Sequence, residues 1–180
     1  MPNYRRARVE GASYFFTVAL ADRGSDLLVR EVDALRAAYL FVQRRYPFAC
    51  NAFVVLPDHL HAVWTLPTGD SNFPKRWQVL KAQFTRSVRI RRPCSMSKMR
   101  KREARIWQRR YWEHMIRDEA DFAAHVEYCW MNPVKHGLAA QPSAWPYSSF
   151  QRDWRRGFVP EGWMAGRSAG AGGVVDPYDA

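Results

Sequence analysis

Hydrophobic and polar positions along this chain change their period several times, and each change marks an element. Tyr14-Phe15-Phe16-Thr17-Val18-Ala19-Leu20 is rich in aromatic and β-branched residues and stops at Asp22-Arg23-Gly24, which predicts a strand. From Glu31 to Tyr46 the apolar positions Val32, Leu35, Ala38, Tyr39 and Val42 recur every three or four residues. That spacing predicts an amphipathic helix, closed by Pro47. Phe48 to Leu56 reads as a second strand and His59 to Leu66 as a third, joined by a Pro57-Asp58 turn and stopped by Pro67-Thr68-Gly69-Asp70.

Another helix is expected from Phe73 or Pro74, with Trp77, Leu80, Phe84 and Val88 on one face. Residues 91–97 read as a loop, and Tyr111 to Ile116 as a fourth strand. From Asp118 the period is helical again, through Phe122, His125, Val126, Cys129 and Trp130. Asn132-Pro133 should limit that helix, because proline disfavours the α conformation in the residue before it. The order β-α-β-β-α-β-α predicts an α+β fold, a ferredoxin-like antiparallel sheet with helices packed on one face. One domain is expected over residues 1–164, followed by a flexible glycine-rich tail over 165–180.

Composition sharpens this picture in two respects. A hydrophobic fraction of 47% with 14% aromatics supplies a core, so wholesale disorder is excluded. The charge of +11, from 28 basic and 17 acidic residues, favours a polyanionic partner. A membrane partner is not expected, because no apolar run reaches the roughly 20 residues of a spanning helix, and the N-terminus lacks a signal core. Cys50, Cys94 and Cys129 are odd in number and widely spaced, which suggests thiols in a reducing cytoplasm rather than a disulfide frame.

The most informative triplet is His59-Leu60-His61. Alternate side chains of a strand share a face, so both imidazoles project together and could grip one cation. The structural alternative is a pair of hydrogen-bonded, half-buried strand residues. A second element, Tyr128-Cys129-Trp130-Met131-Asn132, supplies what such a site still lacks. Residues i and i+4 share a helix face, so Tyr128 and Asn132 lie together. An amide oxygen suits Mg²⁺ or Mn²⁺ beside imidazole, and a nearby cation would help a phenol lose its proton. Tyr128 could equally be a packing residue, and Asn132 a helix-terminal one.

Beyond these residues the chain resembles a known family. Met1-Pro2-Asn3-Tyr4-Arg5-Arg6, Tyr14 through Val18, Leu56-Pro57-Asp58-His59-Leu60-His61, Trp64 through Pro67, Trp107 through His114 and Tyr128 through Gly137 resemble the REP-associated tyrosine transposases. These belong to the single-tyrosine transposases of the HUH superfamily, and the similarity runs to about Trp163. The resemblance implies a divalent metal, Mg²⁺ or Mn²⁺, held by His59 and His61. It implies Tyr128 as the nucleophile that forms a 5′-phosphotyrosine link and releases a 3′-OH. Asn132 stands where insertion-sequence relatives more often carry glutamine, and its shorter amide reaches less far. Single-stranded and hairpin DNA are the implied partners, with a cytoplasmic, nucleoid-associated protein acting as a monomer or homodimer.

Basic residues concentrate between Lys75 and Arg110, where 14 of the 28 lie and Glu103 is the one acid. Such one-sidedness favours phosphate contact over a self-paired helix face. Lys75, Arg76, Lys81, Arg86, Arg91, Arg92, Arg109 and Arg110 are the candidate DNA-binding residues. Trp77, Trp107, Trp112, Trp145 and Trp154 are candidates for stacking on unpaired bases, although most tryptophans of a small domain pack inside it. Two other readings compete with a strand-transferring enzyme. One is a domesticated protein that binds hairpin DNA without cutting it, and the other a metal-dependent phosphodiesterase that uses water.

Overall fold

A computed structural model describes residues 8–91, 106–163 and Val174, with the backbone alone for residues 89–91. Four strands, β1 (Ser13–Ala19), β2 (Ala49–Val55), β3 (His59–Thr65) and β4 (Trp112–Met115), form one sheet in the order β2-β3-β1-β4. All three pairings are antiparallel. Helices α2 (Val32–Arg45) and α3 (Phe73–Arg91) connect the strands as the ferredoxin-like pattern requires. A one-turn helix, α1 (Leu27–Arg30), precedes α2 and was not visible in the apolar periodicity.

Strand alternation sorts the core into two layers. Tyr14, Phe16 and Val18 of β1 join Leu60, Ala62 and Trp64 of β3 beneath α2 and α3. Trp64 stacks on Trp77 of α3 with ring centroids 4.1 Å apart, and the Phe48 ring centroid lies 4.2 Å from that of Trp64. Trp77 is therefore a core residue and not a base-stacking one. The opposite face of the sheet carries Phe15, Ala52, Val54 and Val63. It is covered by α4 (Glu119–Lys135), a 3₁₀ turn (Pro142–Ala144) and α5 (Phe150–Arg155), with Trp163 closing the layer against Trp130. The two crossover helices thus occupy one face, as expected, and the last long helix adds a layer on the other.

Asn132-Pro133 does not limit α4, which continues through Pro133 to Lys135. Proline costs a helix one N–H donor, but this one lies in the last turn, where termination is already near. The end itself is a Schellman motif. Leu138 N–H donates to the Pro133 carbonyl (2.8 Å) and Gly137 N–H to the Val134 carbonyl (3.0 Å), with Gly137 at φ +66°. The other end is capped by Asp118, whose carboxylate accepts from the Asp121 N–H at 2.8 Å.

The edge strand β2 is shielded by the segment after α4. Val55 N–H donates to the Tyr147 carbonyl, Ser149 N–H donates to the Phe53 carbonyl, and Arg152 donates to the carbonyls of Cys50 and Asn51. Cys50 and Cys129 are free thiols, as expected, while Cys94 lies outside the described residues. So does the 165–180 tail, except that Val174 packs on the α4-side core. No helix among the described residues is long and apolar enough to cross a membrane.

Arg76 occupies a place the charge pattern does not suggest. It is 1% exposed, and its guanidinium donates to the carbonyls of Tyr46 (3.2 Å), Pro47 (2.6 Å) and Asn72 (3.2 Å) and to Asp70 Oδ2 (2.7 Å). That fork ties the end of α2 to the start of α3 and holds the Asp70 carboxyl below its ordinary range. Arg76→Ala strands several buried acceptors, so urea unfolding should show a loss of roughly 2–4 kcal/mol, and Arg76→Lys should recover only part of it. A loss below about 1 kcal/mol would show that the guanidinium carries no such load.

Candidate metal and tyrosine site

The site is built where α4 crosses the middle of the sheet. In the β1–β3 register His61 opposes Thr17 and His59 opposes Ala19, so both imidazoles rise from the α4 face while Leu60 turns into the other core. Their ring centroids are 4.9 Å apart, and the residues are 1% and 0% exposed. His59 Nδ1 lies 2.7 Å from Asp58 Oδ1, and His61 Nδ1 lies 2.9 Å from Thr17 Oγ1. A carboxylate acceptor favours the tautomer with the proton on His59 Nδ1 and the lone pair on Nε2. Asp58 is in turn held by Arg23, with Nε 3.1 Å from Oδ2. Burial, reinforced by His59, His136, Lys135 and Arg23, pushes the His61 imidazole well below its ordinary range, so it is neutral at neutral pH. Neutral imidazole is the form that can ligate a metal.

Helix α4 and its C-terminal cap residue present Tyr128, Asn132 and His136 along one stripe, each four residues from the next. The Tyr128 ring lies 5.2 Å from His61 and 5.6 Å from Phe15. At the other end, the His136 ring lies 5.2 Å from His59. Asn132, 1% exposed, stands between these two contacts, so the stripe faces the histidine pair along its length. The Nε2 atoms of both histidines, Asn132 Oδ1 and Tyr128 Oη are all buried. Two imidazoles and an amide oxygen, with a phenol on the same helix stripe, are donors of the kind that fits a divalent cation. The Lys135 ammonium lies 5.3 Å from the Tyr128 ring centroid.

His136 is a site neighbour that was not among the candidates drawn from the sequence. The signal was available: it falls eight residues after Tyr128 and immediately before the helix-ending Gly137. Burial, then the neighbouring His59, pushes its imidazole below the ordinary range.

A second polar cluster lies one turn back along α4. Asp121 Oδ2 accepts from Arg117 N–H (3.0 Å) and Arg117 Nε (3.1 Å) and lies 2.8 Å from His114 Nε2. His125 Nδ1 sits 2.7 Å from the Asp121 carbonyl, and its ring stacks on His114 at 4.7 Å and 17°. Their ligand atoms all lie within 4.8 Å of one another, and each histidine already has a partner inside the cluster, His114 Nε2 on Asp121 Oδ2 and His125 Nδ1 on the Asp121 carbonyl. The cluster is a clamp that fastens the start of α4 to β4.

The basic candidates separate by exposure. Lys75, Arg86, Arg109 and Arg110 are exposed, as a phosphate-contacting role requires. Lys81 is half-buried, with Nζ donating to the Gln108 carbonyl at 3.2 Å and lying over the Trp107 and Tyr111 rings. Arg76 is the structural fork described above. The Arg91 side chain and Arg92 lie outside the described residues. Of the tryptophans, Trp107 is 7% exposed, Trp112 and Trp145 are half-buried, and Trp154 is 52% exposed.

Comparison with known proteins places this fold in a family. No protein-family model matches the chain. It is 44% identical over 176 residues to the REP-associated tyrosine transposase of Escherichia coli (strain K12), covering 98% of this chain and 94% of that protein. A Haemophilus influenzae relative, named provisionally for the same family, is 44% identical over 164 residues, covering 91% and 93%. A solved structure of a REP-associated tyrosine transposase bound to a REP hairpin matches with a TM-score of 0.81 and 41% identity, covering 98% of this chain and 99% of that one. The chain belongs to the REP-associated tyrosine transposase family.

The Asp121 clamp has a definite acid response. Burial alone would raise its carboxyl, but the hydrogen bonds from His114 and Arg117 outweigh burial and hold it far below the usual carboxylate range. A depressed folded value contributes stability that is present above the unfolded value of about 4 and is lost as pH falls through the folded one. Thermal melts of the wild type should therefore lose stability as pH falls below about 4, and Asp121→Asn should show a shallower acid limb. Parallel acid limbs for the two proteins would count against the clamp.

Proposed function

We propose that this chain cuts and rejoins single-stranded DNA at hairpin-forming repeats through a 5′-phosphotyrosine intermediate on Tyr128. The observation that carries the reading is the placement of the Tyr128 ring 5.2 Å from His61, on the helix stripe that also bears Asn132. The likeness to a relative solved with a REP hairpin supports hairpin DNA as the partner, and this reading puts the protein in the cytoplasm at the nucleoid.

Tyr128 attacks the scissile phosphorus. Its Oη–P bond forms, the P–O3′ bond breaks, and the phenolic proton is exchanged for one taken up by the departing 3′-oxygen. One phosphodiester replaces another, so the reverse step rejoins strands without nucleotide hydrolysis. When bound by His59, His61 and Asn132, Mg²⁺ or Mn²⁺ would polarise the phosphate and favour the phenolate. Thr17 and Asp58 fix the two imidazole orientations, and the Lys135 ammonium lies over the Tyr128 ring. Because Oη is buried, the phosphate reaches it only when the ring turns or its neighbours part. Lys75, Arg86, Arg109 and Arg110 would hold the backbone of the hairpin without reading sequence.

The test is incubation with single-stranded hairpin DNA and Mn²⁺, followed by a denaturing gel. The wild type should give a protein-linked fragment, Tyr128→Phe none, and His59→Ala or His61→Ala a loss of at least about 100-fold. Hydrolysed products without protein-linked DNA would point to water as the nucleophile. Hairpin binding with no cleavage in either metal would point to a binding protein.

A further inference from the structure

We propose that a pocket beyond His59 receives the nucleotide on the 5′ side of the scissile phosphate, the one whose 3′-oxygen departs. The inference rests on the reading of Tyr128 as nucleophile. The pocket, of about 330 Å³, lies between the β1–α1 loop, the β2–β3 turn and the segment after α4, with Arg23, Ser25, Asp58, His59, His136 and Leu138 among its walls. This volume is at the low end for small-ligand sites and suits one nucleotide rather than a duplex.

Direction is what assigns it. In phosphoryl transfer the attacking and leaving oxygens lie roughly in line on opposite sides of phosphorus. Tyr128 stands at the His61 end of the histidine pair, and the pocket opens at the His59 end, where His136 packs. A phosphate seated at the pair and attacked from the Tyr128 side expels its 3′-oxygen toward the pocket. By microscopic reversibility an incoming 3′-OH strand re-enters there to attack the phosphotyrosine and release the phenol.

The electrostatics suit a phosphodiester. Both carboxylates in the wall are matched by cations or donors: Asp58 by Arg23 and His59, and Asp26 by Arg30 at 2.6 Å. The Arg23 side chain is 37% exposed, so its guanidinium meets the solvent that an entering strand would displace.

The experiment isolates rejoining. The full chain is loaded with a hairpin oligonucleotide in Mn²⁺, and the covalent adduct is offered a second oligonucleotide ending in a 3′-OH at rising concentration. Leu138→Trp, which fills the pocket, and Arg23→Ala should each raise the half-saturating acceptor concentration by at least about tenfold. An acceptor lacking its terminal base should weaken the wild type similarly but cost Leu138→Trp little more, since both remove the same contact. Mn²⁺ binding by Leu138→Trp, followed by electron paramagnetic resonance, should match the wild type, which separates the pocket from the metal ligands. Wild-type acceptor dependence in both variants, or indifference of the wild type to the missing base, overturns the pocket while leaving the adduct and Tyr128 in place. Absence of an adduct in the wild type overturns both readings together.

Discussion

The site depends on where one helix lies over one strand. Tyr128 and His136 are eight residues apart, about 12 Å along a helix, whereas His61 and His59 are two residues apart, about 6.7 Å along a strand. The two helix side chains therefore bracket the histidine pair from its two ends, with Asn132 midway between them in sequence. The ring contacts of Tyr128 with His61 and of His136 with His59 are the mark of that placement. Slipping the strand by one residue would turn both histidines into the other core, where Leu60 now sits. The position of α4 on the sheet therefore decides whether any site exists.

Two fastenings hold α4 in that position. Asp121, clamped by His114 and Arg117, ties its first turn to β4, and the Schellman motif at Gly137 sets its last. Between them, Cys129 and Trp130 bury the neighbouring side of the helix against the second core layer, where Trp130 meets Phe150 and Trp163. This packing leaves the Tyr128 stripe aimed at the histidines.

Much of this was legible from residue patterns. Among the described residues, periodicity located the four strands and the three long helices, because each buries a regular stripe whose period survives in one dimension. The His59–His61 pair was readable for the same reason, since strand alternation fixes its geometry locally. Other features were hidden because they depend on tertiary contacts. Arg76 looks like any other cation in a basic run, and only the approach of three carbonyls and Asp70 reveals it as a structural fork. Trp77 is likewise assigned by Trp64, a residue 13 positions earlier, and His136 by a strand more than 70 residues away.

Pro133 is the most instructive departure. Local propensity argues that a helix should stop before it, and interior proline costs about 3 kcal/mol in an ordinary helix. Had α4 ended there, Asn132 would have been a terminal residue and His136 would have had no place in the stripe. Instead the helix runs one further turn, and that turn carries His136 to His59 and Lys135 toward the Tyr128 ring. Conflicts between local preference and the fold adopted concentrate at sites that do chemistry, where surrounding packing over-determines the backbone. The helix continues through a residue that disfavours it because the contacts on either side, the buried Asn132 and the Schellman closure at Gly137, both require the final turn.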